Sequence, residues 1–167
     1  MTISAFRRRQ PLLRFSRRTW TALIAELGRR GEGHREAGAF LLGRATHNRR
    51  KVKRVVYLDD LDPNCLQGGI HFDGLAYSRL WDVCEEHRLV VLGDVHTHPG
   101  PCVRQSGIDA DNPMIAQRGH VAIIVPHLAT RKVKPVEVGV HVYEGADGWA
   151  SWLGAEAAER VVVRRWL

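Results

Sequence analysis

His96 and His98 stand one residue apart in the stretch Gly93-Asp94-Val95-His96-Thr97-His98-Pro99, and Ser106 and Asp109 follow downstream. Side chains of a strand alternate faces, so the two imidazoles project to the same side about 7 Å apart along the backbone and can reach one ion. Ser106 is a good helix N-cap, and Gly107-Ile108-Asp109 then forms a first helical turn that brings Asp109 back toward the strand end. Two neutral imidazoles and one carboxylate suit a catalytic zinc, because three protein ligands leave the fourth tetrahedral position for water. Zinc lowers the pKa of that water to about 7, and a general base, usually a Glu, must still move its proton. No Glu lies inside the cluster. The upstream candidates are Glu36, before an apolar run, and Glu85 and Glu86 at a helix end.

These residues need strands and helix starts to hold them. Ser16 caps a helix whose apolar positions Trp20, Leu23, Ile24 and Leu27 recur at helical spacing, ending near Gly28 or Gly31. After a flexible Gly31-Glu32-Gly33-His34, the run Ala37 to Leu42 reads as a buried strand, a turn covers Ala45 to Asn48, and Val52 to Leu58 reads as its neighbour. Asp59 to Phe72 carries turn signals without periodicity and is expected to be a surface loop. Asp73 caps a second helix with Tyr77, Leu80, Trp81 and Cys84 as its apolar stripe. Strands are expected at Leu89–Val95, Val121–Val125, Val136–Tyr143 and around Trp149–Leu153, with residues 160–167 open to either a strand or a short helix. Helices and strands intersperse without a regular parallel repeat, which predicts an α+β domain, a mixed sheet flanked by helices. The 167 residues fit one domain.

Composition narrows the setting. No apolar run approaches the roughly 18 residues that cross a bilayer. Residues 1–54 hold 15 Lys and Arg against 3 Glu, whereas residues 55–167 hold 10 against 15 Asp and Glu. The basic blocks, Arg7-Arg8-Arg9, Arg17-Arg18, Arg29-Arg30 and Arg49-Arg50-Lys51, read first as a solvated face; a docking surface for an acidic protein or nucleic acid is the other reading, and no nucleic-acid motif accompanies them. Three cysteines without a CxxC pair and no secretory signal point to a reducing, cytoplasmic setting. Asp94 shares the face of the two histidines, and either an ordinary structural or solvent-facing role or support of an imidazole fits it. Asp111 competes with Asp109 as a ligand but has the poorer spacing. Cys102 reads as packed, with a redox or zinc role as the sharper alternative. Cys65 and Cys84 read as loop and core, and the remaining histidines, His120 and His141 among them, show no ligand spacing.

The pattern resembles the JAMM metalloproteases, also called MPN-plus or JAB domains, whose signature is an upstream Glu, His-x-His-Pro, a Ser seven residues on and an Asp after two more. His96-Thr97-His98-Pro99, Ser106 and Asp109 match it, and Glu36-Ala37-Gly38-Ala39-Phe40-Leu41-Leu42-Gly43 is similar to the family's Glu strand, with Ala39 where the family often has Gly. The resemblance spans roughly residues 12–145. It implies a single MPN/JAB-type, cytidine deaminase-like domain with Zn2+ on His96, His98 and Asp109, Glu36 as the base and Ser106 on the developing oxyanion. The implied reaction is hydrolysis of the amide after the C-terminus of a ubiquitin-like modifier, by deconjugation or precursor processing. The implied partners are the modifier, its conjugates, and activating and conjugating enzymes of a bacterial conjugation or anti-phage system. The alternatives are processing of a sulfur-carrier protein and a non-catalytic MPN scaffold.

Overall fold

The computed structural model describes residues 11–44 and 50–165, so the expected turn at Ala45 to Asn48 and the block Arg7-Arg8-Arg9 lie outside the described residues. The elements run β1 (Leu13–Ser16), α1 (Arg17–Gly31), β2 (Gly38–Gly43), β3 (Val52–Tyr57), α2 (Leu58–Leu61), α3 (Gly74–His87), β4 (Val90–Thr97), α4 (Gly107–Asp111), β5 (Val121–Val125), β6 (Gly139–Tyr143), β7 (Trp149–Trp152), α5 (Ala155–Arg160) and β8 (Val161–Arg164). Six strands form one mixed sheet in the order β3-β2-β4-β5-β6-β7, while β1 and β8 pair in a separate parallel ribbon. The mixed sheet with flanking helices agrees with the expected fold class. No helix among the described residues is long and apolar enough to cross a membrane.

The middle of the sheet explains the apolar runs. Every residue of β2 and β5 is buried, so these strands cannot alternate with polar residues as a half-exposed strand does. Within the sheet β4 and β5 alone run parallel. A parallel pair needs a long crossover, and here the crossover is the segment that carries His98, Ser106 and Asp109. The candidate residues therefore gather at the carboxyl ends of β4 and β5.

The helices start where their caps dictate. The Ser16 hydroxyl accepts from the Thr19 amide at 3.0 Å, and the Asp73 carboxylate accepts from the Ala76 amide at 2.9 Å. Three details differ from the sequence expectation. Leu58 opens the short α2 instead of ending β3, because Leu58 and Leu61 insert into the core; the rest of the stretch before Phe72 is a largely exposed loop, as expected, its inner side a packed wall of Cys65 and Leu66. Trp81 is 48% exposed, since Ala76, Leu80 and Cys84 take the buried stripe of α3 and Trp81 stacks on Tyr77 at 6.4 Å. Residues 135–137 form a 3-10 turn ahead of β6. The last described residues take the strand option, β8, once α5 has ended at Arg160.

Part of the basic first third is structural. Arg30, on α1, binds Glu26, Asp59 and Asp60 at 2.6–2.8 Å and lies 4.2 Å over the Tyr57 ring, which ties α1 to α2 at the base of the packed wall. The Arg29 hydrogen bond, against a raising effect of burial and with Arg30 adding to it, lowers Glu26 to about 2. Arg30→Met should cost about 2 kcal/mol, between the surface and buried limits for an ion pair. A depressed carboxylate stabilises above its unfolded pKa and loses that contribution as pH falls through its folded one. The wild-type advantage should therefore be full above about 4.5, its ordinary value, and fade as pH drops toward about 2. Urea melts at pH 6 and pH 3 measure this; equal midpoints for both proteins at pH 6 would remove Arg30 from the clamp.

Candidate metal centre

Strand alternation puts Asp94, His96 and His98 on one face, and His98 lies just past the end of β4. Its backbone is held nonetheless: the amide donates to the Val125 carbonyl at 2.9 Å, and its carbonyl accepts from the Leu128 amide at 2.8 Å. That second bond comes from an unusual turn in which His127, Leu128 and Ala129 all have φ between 51 and 55°. Left-handed non-glycine residues cost about 1–2 kcal/mol each, and such backbone cost collects beside functional sites. Here the turn also receives the chain at Gly100, whose carbonyl accepts from the His127 amide at 3.0 Å.

The chain then loops to α4. The carbonyl of Val103 accepts from His141 Nε2 at 3.0 Å, and the other nitrogen of that ring meets Ser151 Oγ at 2.8 Å. Gly139 makes the approach possible, since a Cβ there would fall 1.9 Å from the Val103 oxygen. Burial first, and then the nearby charge on His96, hold His141 below the ordinary histidine value, so it serves as a neutral pin. Ser106 and Asp109 close a reciprocal cap: the Asp109 amide donates to Ser106 Oγ at 3.1 Å, and the Ser106 amide donates to Asp109 Oδ2 at 2.8 Å. Trp149 Nε1 donates to the Ala110 carbonyl at 3.0 Å, and the Tyr77 hydroxyl donates to that of Met114. A five-residue helix with no buried residue of its own is thereby fixed from outside.

Three side chains converge as a result. His96 Nε2 and His98 Nε2 are 3.2 Å apart, His98 Nε2 and Asp109 Oδ2 are 3.2 Å apart, and His96 Nε2 and Asp109 Oδ1 are 3.6 Å apart. Tetrahedral zinc with bonds of roughly 2.0–2.1 Å needs ligand atoms about 3.3–3.4 Å from one another. The donor set fits that ion. His98 directs Nδ1 to the Cys102 carbonyl at 3.1 Å, which leaves Nε2 as its lone pair. Although burial opposes a charged ring, Asp109 and Asp94 outweigh it and push His96 up to about 9. Burial raises Asp109 too, but the His96 and His98 contacts hold it well below the carboxylate range. The cluster thus favours positive charge at its centre, and a bound cation would take the place of a proton on His96.

Glu36 reaches the same place along the neighbouring strand. The pairing Gly38 with His96, continued by the Ala37–Thr97 amide and carbonyl bonds, sets Glu36 across from His98. It lines a groove of about 1060 Å³ together with His96, His98, Ser106 and Asp109. Glu85 and Glu86 are exposed at the far end of α3 and do not line it, and Asp111 is exposed outside the converging group. Cys102 is exposed rather than packed, because the loop uses its carbonyl and not its thiol. Cys65 and Cys84 are buried, and burial pushes Cys65 up to about 12 and Cys84 upward as well, so neither is a ready thiolate. Tyr77, His120, His141 and Trp149 lie far apart along the chain, and no spacing in the sequence marks them as supports of the site.

No protein-family model matches the chain. Two solved structures share its fold. A protein of Desulfitobacterium hafniense is 22% identical with a TM-score of 0.65 over 93% of this chain and 94% of its own. One of Salinibacter ruber is 15% identical with a TM-score of 0.58, covering 83% and 88%. A JAB1/MPN domain protein of Archaeoglobus fulgidus aligns at 17% identity over 90% of this chain and 97% of its own, with a TM-score of 0.46.

Proposed function

We propose that the protein is a zinc-dependent peptidase of the JAMM type that hydrolyses the amide after the C-terminus of a ubiquitin-like modifier. The observation that carries this reading is the meeting of His96, His98 and Asp109 at tetrahedral spacing in a groove that Glu36 also lines. Bound zinc would supply the Lewis acidity that makes hydroxide available near neutral pH. Glu36 takes the proton of the attacking water and delivers it to the leaving amine as the C–N bond breaks. The Ser106 hydroxyl, whose oxygen accepts from the Asp109 amide, keeps its own proton to donate to the developing oxyanion.

The groove suits a slender, extended tail. Its walls combine Gly68 and Gly69 with Phe72, Tyr77 and Met114, and among the described residues no Lys or Arg lines it. A tail free of acidic residues avoids charge repulsion there, whereas Asp62 and Asp73 oppose one that is acidic. Partner enzymes of a conjugation system, and a cytoplasmic setting, belong to this proposal. The test is a zinc-loaded protein incubated with a ubiquitin-like protein fused through its C-terminus to a reporter. Cleavage at the junction, lost on chelation and restored by zinc, is the expected result; cleavage that survives prolonged chelation overturns the metal mechanism.

A further inference from the structure

Two buried ionisable side chains beside His96 take no part in the chemistry above. Asp94 is 3% exposed and His120 is 5% exposed, and His120 Nε2 lies 2.6 Å from Asp94 Oδ1. They come from adjacent parallel strands: Asp94 is on β4, and His120 directly precedes β5. The backbone of His120 is fixed at both ends, its amide donating to the Gln117 carbonyl and its carbonyl accepting from the Tyr143 amide, each at 3.0 Å. Burying such a pair for stability alone is poorly rewarded, since well-packed apolar residues generally do as well. The geometry offers another reason for it.

With Oδ1 on His120, the second oxygen of Asp94 faces His96 Nδ1 at 3.8 Å. If His96 presents Nε2 to a metal, its proton must sit on Nδ1, and a buried N–H needs an acceptor. Asp94 Oδ2 is the carboxylate oxygen that faces this nitrogen, near enough to attract its proton electrostatically although beyond direct hydrogen-bond length, and His120 holds it there. We infer that Asp94, oriented by His120, is a positioning group for the metal centre: it selects the Nε2 tautomer of His96 and thereby sets metal affinity. This rests on the metal reading of His96, His98 and Asp109. His98 needs no such device, being served by the Cys102 carbonyl.

Zinc affinity by chelator competition and the visible absorption of the Co2+-loaded protein test it, alongside thermal melts of the metal-free forms. Asp94→Asn should weaken zinc about 10–100-fold and alter the Co2+ spectrum. His120→Phe should weaken it by a smaller factor, His120→Gln, which can still donate, should recover most of the loss, and adding His120→Phe to Asp94→Asn should cost nothing further, because His120 acts through Asp94. Where Asp94→Asn fails to fold, the His120 pair carries the test. Lower melting temperatures with unchanged zinc affinity would make the dyad a purely structural pair and overturn the inference. A wild type that binds no zinc overturns the metal reading itself, a separate outcome.

Discussion

Glu36→Gln should lose hydrolysis by about 10²–10⁴-fold while keeping its zinc and its fold, the range expected for removal of a general acid–base. The substitution is nearly isosteric and Glu36 is only half-buried, so packing changes little. Its amide cannot take a proton from water or return one to the amine. The neighbours that set its position are untouched, since Ala37 is tied to Thr97 through its own amide and carbonyl. Single-turnover cleavage of the reporter fusion, with zinc content measured on the same sample, checks the expectation. Wild-type turnover in a zinc-replete Glu36→Gln protein would assign the proton transfer elsewhere and leave the groove without its base.

Asp109→Ala should instead lose the metal, and activity with it. Structural zinc sites bind with about 10–16 kcal/mol, so one ligand among three or four accounts for roughly 3–4 kcal/mol, or about 10²–10³-fold in affinity. The change also removes half of the reciprocal cap on α4, at about 1 kcal/mol. Asp109→Asn separates the two effects, because its amide oxygen can still accept from the Ser106 backbone while the anionic ligand is gone. Both variants should therefore bind zinc poorly, with Asn the more stable in the apo form. Zinc stoichiometry after dialysis against a weak chelator reads the outcome. A full equivalent of zinc retained by Asp109→Ala would exclude Asp109 as a ligand.

Most secondary structure was legible because local chemistry decided it. Ser16 and Asp73 announce helix starts by offering an oxygen to an orphan amide, and the run Ala37 to Leu42 reads as a strand because a strand covered on both faces has no need of polar residues. In the stretch before Phe72, Asp62, Asn64 and the two glycines mark the exposed loop, while the short helix at its start and the burial of Leu61 and Leu66 depend on a core that no local window contains.

By itself the sequence determined the pair of imidazoles on one strand face and the Ser106 cap that turns Asp109 back, since alternation and capping act over a few residues. Only the tertiary structure decided which glutamate shares the groove, because Glu36 is carried to its lining by the bonds of Ala37 to Thr97, 60 residues away, while Glu85 and Glu86, nearer His96 in sequence, end on a helix that does not line it. It likewise decided that Asp94 is held by His120, and that Val103 is pinned by His141 across Gly139. Such contacts arise where separate elements are pressed together by burial of a common core, and no spacing along the chain encodes them.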